Sequence, residues 1–243
     1  MQIINLIHKI TRKIGFDFRR YSADYFPELK RAKVIENQNI NLVLDVGASE
    51  GFYGKELREV KYRGRIISFE PLEDSFQSLK KRCAYDDKWE CYKVALGDTN
   101  SEMEMSVSGH VTSSSLLTMT DTHINAMPSS LTISKELIQV RTLNSFLSND
   151  INIEDKIYLK LDVQGFEMFV LRGADKIFDQ IKVIELELSL VPLYQGGPLF
   201  MDMIKHMDAL GFKIISLSPV FSDPKTDQLL QVDAIFKKIS HSI

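Results

Sequence analysis

The segment Asp45–Tyr53 contains the residues best suited to holding a cofactor. It follows a short apolar run, residues 41–45, and precedes a stretch with helical spacing, which is the strand–turn–helix context of a nucleotide-binding turn. Gly47 permits a tight turn close to a ligand, and Gly51 lets a helix begin close to the sheet. Because ligands of open α/β sheets bind outside the carboxyl ends of the strands, the pattern predicts a cofactor site here. Its predicted members are Asp45, Gly47, Ala48, Ser49, Gly51, Phe52 and Tyr53.

The same segment indicates which cofactor fits. Ser49 stands where a dinucleotide fingerprint has its second glycine, and the chain has no Gly-Lys-Ser/Thr phosphate loop. Asp45 lies just before the turn, where a carboxylate repels a phosphate and attracts a cation. Two unit charges about 4 Å apart interact by ~4 kcal/mol at an effective dielectric constant near 20, so the sign of this charge matters. S-adenosylmethionine carries an ammonium and a sulfonium but no phosphate, so we expect it rather than NAD.

Two further positions fit the nucleoside half of this cofactor. Glu70, followed by Pro71, ends the next predicted strand about twenty residues beyond the glycine turn, where a carboxylate accepts hydrogen bonds from ribose hydroxyls. Alone, Glu70 fits NAD equally well, or it caps the following helix. Ala95 and Leu96 end the third predicted strand and are expected to flank the adenine. Asp98 is expected to accept from the adenine amino group, although a Gly-Asp pair is also common in ordinary turns.

The elements that would position these residues alternate between strands and helices from residue 41 onward. Continuous apolar strands followed by helices indicate a mostly parallel, doubly wound α/β sheet of about seven strands, with helices on both faces. Segment 218–228 is too polar for a crossover helix, so the last two strands are expected to form an antiparallel edge hairpin. The predicted strands are 41–45, 65–69, 89–95, 157–162, 183–188, 212–217 and 232–236, and the predicted helices are 52–60, 72–83, 166–178 and 200–210.

Two segments fall outside this alternation. Residues 1–38 combine an excess of Lys and Arg with isoleucines at helical spacing, Ile3, Ile7, Ile10 and Ile14. We interpret them as an N-terminal helical arm before a domain spanning 39–243. The arm either covers an open face of that domain or contacts an anionic membrane surface or a partner protein. Residues 106–134 are rich in Ser and Thr, and a long polar loop near the carboxyl ends of the strands is a candidate lid or acceptor-binding loop.

Several motifs together resemble the FkbM family of S-adenosylmethionine-dependent methyltransferases, in that family's order, over residues 40–238. The resemblance implies a seven-strand class I methyltransferase (Rossmann-like) fold and O-methylation, often of a sugar hydroxyl. The chain departs from the family at Gln164, where Glu is usual, which removes a charge beside the expected methyl site. A non-catalytic module that binds a ligand or partner therefore stays open, as does an NAD-dependent oxidoreductase. The motifs are Leu44–Ala48, Phe69–Pro71, Ala95–Asp98, Lys160–Glu167, Val170–Ala174 and Ile184–Glu187.

The chemistry that this family implies needs few groups. Transfer from a sulfonium is an in-line displacement, so alignment of the reacting atoms lowers the barrier, and a base helps to remove the proton of a hydroxyl acceptor. Asp162 and Gln164 are expected to contact the cofactor, and the catalytic candidates are Asp162, Glu167 and Glu187. Alternatively, the helix dipole alone accounts for Glu167, and Glu185 and Glu187 face one side of a strand, where one of them simply pairs with a lysine. His110 and His123 belong to the polar loop, as further base candidates, and no metal ligands are assigned.

Composition bounds the remaining possibilities. The 243 residues carry a net charge of −3, which argues against a general nucleic-acid binder, so we expect a small-molecule or glycan acceptor and no nucleic acid. The two cysteines, Cys83 and Cys91, lack CxxC spacing, which argues against a disulfide framework and indicates a reducing compartment. The first apolar stretch is too short for a signal sequence or a spanning helix, so a cytoplasmic location is expected. The oligomeric state is left open.

Overall fold

The computed structural model describes residues 11–17, 20–146 and 150–239. Its strands are β1 (Leu42–Val46), β2 (Arg65–Phe69), β3 (Trp89–Tyr92), β4 (Ala95–Leu96), β5 (Ser101–Ser108), β6 (Thr132–Arg141), β7 (Ile157–Leu161), β8 (Ile181–Ser189), β9 (Phe212–Ser222) and β10 (Leu229–Lys238). Seven of them form one sheet in the order β3-β2-β1-β7-β8-β10-β9. The first five in this order are parallel, and β10 runs antiparallel to both β8 and β9. The doubly wound sheet with an antiparallel edge hairpin is thus confirmed.

Helices cover both faces of this sheet because its strands bury apolar side chains on both faces. One face packs against α1 (Pro27–Asn37), α2 (Phe52–Glu59) and α3 (Glu73–Cys83), through residues such as Val34, Leu57 and Leu79. The other packs against α5 (Glu167–Arg172) and α6 (Phe200–Ala209); α4 (Asp121–Ala126) lies between β5 and β6 in the chain. None of the helices in the described part of the chain has the length and hydropathy of a membrane span.

Polar residues interrupt the buried face of the sheet that α1 and α2 cover. The parallel registers place Asp45 of β1 beside Lys160 of β7, and Lys160 beside Glu185 of β8. Two residues further along β8, Glu187 pairs with Asp233 of β10. Because alternate residues of a strand point to the same face, these acids and the lysine share one face near the carboxyl ends of the strands.

The structure corrects the prediction for residues 89–134. The third strand ends at Tyr92, and Ala95–Leu96 belongs instead to a second sheet of order β4-β6-β5. Strands β5 and β6 overlap the two ends of the segment predicted as a polar loop, residues 106–134, and helix α4 lies within it. Strand β5 alternates Met103, Met105 and Val107 with polar residues, and these three side chains pack against the small core beneath it. That period of two is a strand signal, but the high Ser and Thr content masked it.

Part of the predicted N-terminal arm covers the sheet. Helix α1 buries Val34 and Ile35 in the core beneath it, together with the side chain of Arg31. The guanidinium of Arg31 donates from Nε and Nη2 to the two carboxylate oxygens of Glu185, at 2.9 and 2.7 Å. Burial alone would raise the pKa of Glu185, but the charge and hydrogen bonds of Arg31 lower it to about 2. The isoleucine stripe at Ile3, Ile7 and Ile10 lies outside the described residues.

Replacing Arg31 by methionine is expected to destabilise the fold by about 3–5 kcal/mol, because Glu185 would remain buried without its countercharge. Denaturant unfolding measures this loss. Lys33→Met, an exposed change on the same helix, is the control and should stay within about 0.5 kcal/mol of the wild type. Because the folded pKa of Glu185 is lowered, its stabilisation is present above pH 4.5 and is lost as the pH falls towards 2. An Arg31→Met protein as stable as the control would contradict this account.

Candidate functional site

A cavity of about 660 Å³, including the solvent at its mouth, lies at the carboxyl ends of β1, β2 and β7. Its wall includes Gly47 and Ser49 of the glycine turn. Gly47 has φ +77°, and a Cβ built there would lie 1.9 Å from the carbonyl oxygen of Asp162. The backbone N–H groups of Gly47 and Ala48 both donate to the carbonyl oxygen of Phe69, at 3.0 Å. Only glycine allows the turn to approach the end of β7 this closely.

Glu70 places a buried carboxylate in this cavity wall. The residue is 5% exposed, and its carboxylate accepts hydrogen bonds from the N–H groups of Ser49 and Leu72, both at 2.9 Å. Burial raises the pKa of Glu70 to about 7, against the opposing effect of these two backbone donors. A carboxylate has about four acceptor positions, so two remain for the hydroxyls of a bound ribose.

Much of the cavity wall is apolar. Ala95 and Leu96, the residues predicted to flank the adenine, line it together with Phe69, Val163 and Phe166. Pro71 also lines the cavity. The side chain of Asp98 is exposed and lies outside this wall, so the structure does not place it where the predicted contact with the adenine amino group requires it.

Four other predicted cofactor residues also lie outside the cavity wall. Asp45 is fully buried on the opposite face of β1 and accepts from the Ser68 hydroxyl at 3.0 Å. Tyr53 donates to Glu185 at 2.8 Å. Phe52 is 60% exposed beneath the guanidinium of Arg82. Ala48 is buried in the α1–α3 core. The structure therefore places these four residues on strand β1, on helix α2 and in the core beside the turn, and not in the cavity wall.

Gly51 supports the turn from the helix side. It precedes α2 with φ +83°, and a Cβ there would lie 2.7 Å from the Leu79 side chain. Its predicted role is to let the helix begin close to the sheet; the closest contact is with α3, and the Trp89 side chain of β3 follows at 3.4 Å. Gly51 is not part of the cavity wall, so it shapes the turn without facing a ligand.

Asp162, Gln164 and Glu187 lie together beside the cavity. The Gln164 amide donates from Nε2 to Oδ1 of Asp162 at 2.8 Å and to Oε2 of Glu187 at 2.6 Å. Gln164 adopts φ +52°, and its side-chain oxygen accepts from Tyr194 at 2.8 Å. Asp162 and Gln164 line the cavity, and Glu187 lies one hydrogen bond behind them. The structure therefore brings together two of the three predicted catalytic residues.

The third predicted catalytic residue, Glu167, is directed into the protein. It is 3% exposed, and its Oε1 accepts from the N–H groups of Val163 and Gly165, at 3.3 and 3.2 Å. Burial raises the pKa of Glu167 to about 7. These bonds close the turn that carries Gln164, so Glu167 holds the turn in shape, and it does not line the cavity.

Sequence reasoning missed Lys160 as a site residue. Its Nζ lies 3.1 Å from Oδ2 of Asp162 and 3.9 Å from Oδ1 of Asp45, above the Tyr53 ring. Burial alone would lower the pKa of Lys160, but Asp162 and Asp45 raise it, so the lysine stays charged. The signal was present, since Lys160 and Asp162 stand two apart on one strand and therefore share a face.

Asp233, Gln231 and Tyr194 also belong to the neighbourhood of the site. Gln231 donates from Nε2 to Oε2 of Glu187 at 2.8 Å. Burial, together with the nearby charge of Glu185, raises the pKa of Asp233 to about 7. His123, considered as a base, is instead buried against Tyr194, and burial lowers its pKa to about 4. No sequence spacing links β10 to β8, so only the strand register reveals the first two residues.

Comparison with known proteins defines the class. The sheet order and helical layers are those of the class I methyltransferases, and residues 45–214 match the model of the methyltransferase FkbM domain. That match covers more than half of the chain. The chain therefore belongs to the FkbM methyltransferase family and is an S-adenosylmethionine-dependent methyltransferase. None of the curated proteins compared with it matches the chain.

Solved structures share the fold at low identity. A putative RNA methyltransferase from Pyrococcus horikoshii gives a TM-score of 0.46 and 11% identity over 88% of this chain and 85% of that chain. A putative tRNA (m1A22) methyltransferase from Streptococcus pneumoniae, in complex with S-adenosyl-L-methionine, gives 0.45 and 13% over 88% and 75%. A putative S-adenosylmethionine-dependent methyltransferase from Listeria monocytogenes gives 0.47 and 10% over 88% and 98%.

These titles correct the expectation of a small-molecule or glycan acceptor with no nucleic acid. Two of the three structures reported above are described as putative RNA or tRNA methyltransferases, so the exclusion of nucleic acid is wrong. It rested on the net charge of the whole chain. A net charge does not describe the potential at the mouth of one cleft, and this is why composition misled.

Proposed function

We propose that this methyltransferase transfers the methyl group of S-adenosylmethionine to a sugar hydroxyl. One observation carries the proposal: the buried carboxylate of Glu70 lies in the cavity wall, and a second carboxylate, Glu187, is bound to the cavity residue Gln164 through one oxygen, while its other oxygen accepts no hydrogen bond from the described residues. The first suits the ribose of the donor. The second suits the proton of an acceptor hydroxyl.

The residues of the cavity fit an adenosyl compound. Its apolar lining residues offer surfaces for the two faces of an adenine, and the free acceptor positions of Glu70 suit ribose hydroxyls. Among the described residues that line the cavity, none is a cationic side chain that would favour a phosphate. Of the predicted cofactor contacts we retain those in the cavity wall: Gly47, Ser49, Glu70, Pro71, Ala95, Leu96, Asp162 and Gln164.

The remaining groups would act on the reacting centre. When bound, S-adenosylmethionine supplies an electrophilic methyl group attached to a sulfonium cation. Asp162, whose side chain is partly exposed at the cavity, would orient this cationic half by charge attraction. Lys160 and Gln164 hold the Asp162 carboxylate in place from two sides. Glu187 would take the acceptor proton.

Labelled methyl transfer tests this function. The full chain is incubated with S-adenosyl[methyl-³H]methionine and separate glycan, small-metabolite and RNA fractions of a cell extract, with Glu70→Gln protein as the background. We expect label that is stable to mild alkali, as an ether methyl group on a sugar is, and the labelled fraction identifies the class of acceptor. Label on a nucleotide base or on a carboxyl group would overturn the sugar hydroxyl as acceptor. Donor binding without label in any fraction would favour a non-catalytic module.

The pH dependence of nucleoside binding tests Glu70 separately. The probe is 5′-methylthioadenosine, whose own groups do not titrate near neutrality. Ribose hydroxyls donate to the ionised carboxylate, so binding lowers the raised pKa of about 7 and releases a proton. Affinity should therefore rise as the pH increases, by about tenfold from pH 6 to pH 8. Calorimetry at each pH measures the dissociation constant, and a flat profile in the wild type would contradict the assignment.

A further inference from the structure

Glu187 is held by two side-chain amides on the same oxygen. Its Oε2 accepts from Nε2 of Gln164 at 2.6 Å and from Nε2 of Gln231 at 2.8 Å. One amide comes from the turn after β7 and the other from β10, so the carboxylate is fixed from both neighbouring strands. Two donors to one oxygen leave the carboxyl group little freedom to rotate.

The other oxygen of Glu187 is unengaged. Oε1 accepts no hydrogen bond from the described residues. The fully buried side-chain atoms without a partner in that part of the chain belong to Asp45, His123 and Gln180, so Oε1 of Glu187, which is not among them, keeps some solvent-accessible surface. The two amides therefore occupy one oxygen of the carboxylate and leave Oε1 as the oxygen that can accept a proton from another molecule.

The arrangement in which Gln164 and Gln231 hold Glu187, which we call the clamp, is connected to the cofactor cavity. Gln164 lies in the cavity wall, and the same amide nitrogen that binds Glu187 also binds Asp162. The Gln164 side-chain oxygen accepts from Tyr194, and its backbone oxygen accepts from the hydroxyl of Ser115 at 2.8 Å. With every polar atom of its side chain engaged, Gln164 has one orientation, in which the amide nitrogen faces the two acids.

We propose that Oε1 of Glu187 is the atom that takes the proton of the acceptor hydroxyl, and that Gln164 and Gln231 are its positioning residues. The inference rests on the proposed function. In the balanced step, the acceptor oxygen bonds to the methyl carbon, the carbon–sulfur bond breaks with its electron pair left on sulfur, and the acceptor proton passes to Oε1 and then to water. The Glu that is usual at position 164 would put a third carboxylate where this chain has a donor.

The charged groups around Glu187 determine in which direction its pKa should change when an amide is removed. Burial raises the pKa of Glu187 well above its usual range, Asp162 and Asp233 raise it further, and the hydrogen bond from Gln164 lowers it. Removing either amide should therefore raise that pKa again. The titratable and charged groups around Glu187, from the elements packed against it, are Lys160 of β7, Asp162 directly after β7, Glu167 of α5, Glu185 of β8, Asp233 of β10 and Tyr194.

The experiment is a carboxyl ¹³C NMR titration of the full chain labelled at the glutamate side chains, with the Glu187 signal assigned by its loss in Glu187→Gln. Gln231→Met keeps the side-chain length but removes the donors. We expect the Glu187 titration to move upwards by about 1 pH unit, the equivalent of one lost hydrogen bond. Gln228→Met, an exposed change before the same strand, is the control and should leave the Glu187 titration unchanged.

A second variant and a second readout keep the outcomes separate. Gln164→Met should move the Glu187 titration in the same direction, and it replaces Gln231→Met if that variant does not fold. In the labelled transfer assay, the acidic limb of the pH profile should move upwards with the titration. An unchanged Glu187 titration in both variants, or unimpaired transfer by Glu187→Gln, would overturn the inference. Absence of S-adenosylmethionine binding to the wild type would instead overturn the proposed function.

Discussion

Glu70→Gln is expected to weaken S-adenosylmethionine binding at least about a hundredfold. Hydrogen bonds to a charged group contribute about 1.5–3 kcal/mol each, and two ribose hydroxyls are expected to depend on this carboxylate. The substitution also puts an amide NH₂ where an oxygen now accepts from the N–H of Ser49 or Leu72. Both effects remove hydrogen bonds that the Glu70 carboxylate accepts. Calorimetric titration with S-adenosylmethionine measures the dissociation constant.

The control for this variant is Glu73→Gln, three residues further along the chain. Glu73 lies at the start of α3, is exposed and interacts with Gln77 and Lys93 on the surface. It should bind the donor as the wild type does. A Glu70→Gln protein that binds S-adenosylmethionine within threefold of the wild type, with unchanged stability, would show that the ribose lies elsewhere.

Gly47→Ala is expected to cost more than 3 kcal/mol of stability, or to prevent folding. The new Cβ would meet the backbone oxygen of Asp162 at 1.9 Å, and neither strand end can move without breaking the sheet. A positive φ adds about 1 kcal/mol for a residue with a side chain. Denaturant unfolding gives the difference in free energy.

Gly211→Ala separates the two contributions. Gly211 has φ +79°, close to that of Gly47, but a Cβ there meets nothing within 4 Å. Its cost should therefore be the conformational term alone, about 1 kcal/mol. If Gly47→Ala costs no more than Gly211→Ala, the close approach between the glycine turn and the end of β7 does not exist in solution.

The main sheet could be predicted because its signals are local. Each parallel strand is a short apolar run followed by a helical stripe, and the glycine turn marks the first crossover at Gly47. The second sheet could not be read in the same way. Its β4 has two residues, and its β5 and β6 are polar on their outer sides, so only the alternation of Met103, Met105 and Val107 distinguished strand from loop.

The cofactor contacts were predictable in part. Glu70, Ala95 and Leu96 lie at strand ends, where position along the strand alone puts them at the ligand edge. Asp45 shares that edge but points to the other face. In a strand buried on both sides, such as β1, the sequence does not show which face borders the cavity.

The clamp on Glu187 depends on contacts between distant segments. Gln231 follows Glu187 by 44 residues, and the two meet because β10 inserts between β8 and β9 in an antiparallel register. A one-residue change of register would turn Gln231 to the opposite face. The register cannot be read from sequence spacing. Glu187 could therefore be proposed as a catalytic candidate from its position at the end of a predicted strand, but its two amide partners could not be predicted.

A crystal structure of the chain with S-adenosylhomocysteine tests the central claim most directly. We predict the ribose hydroxyls on the Glu70 carboxylate, the adenine between apolar residues that include Ala95 and Leu96, and the amino-acid half beside Asp162. The thioether sulfur should then face Oε1 of Glu187. A nucleoside bound at another edge of the sheet, with Glu70 still covered by protein, would contradict the account.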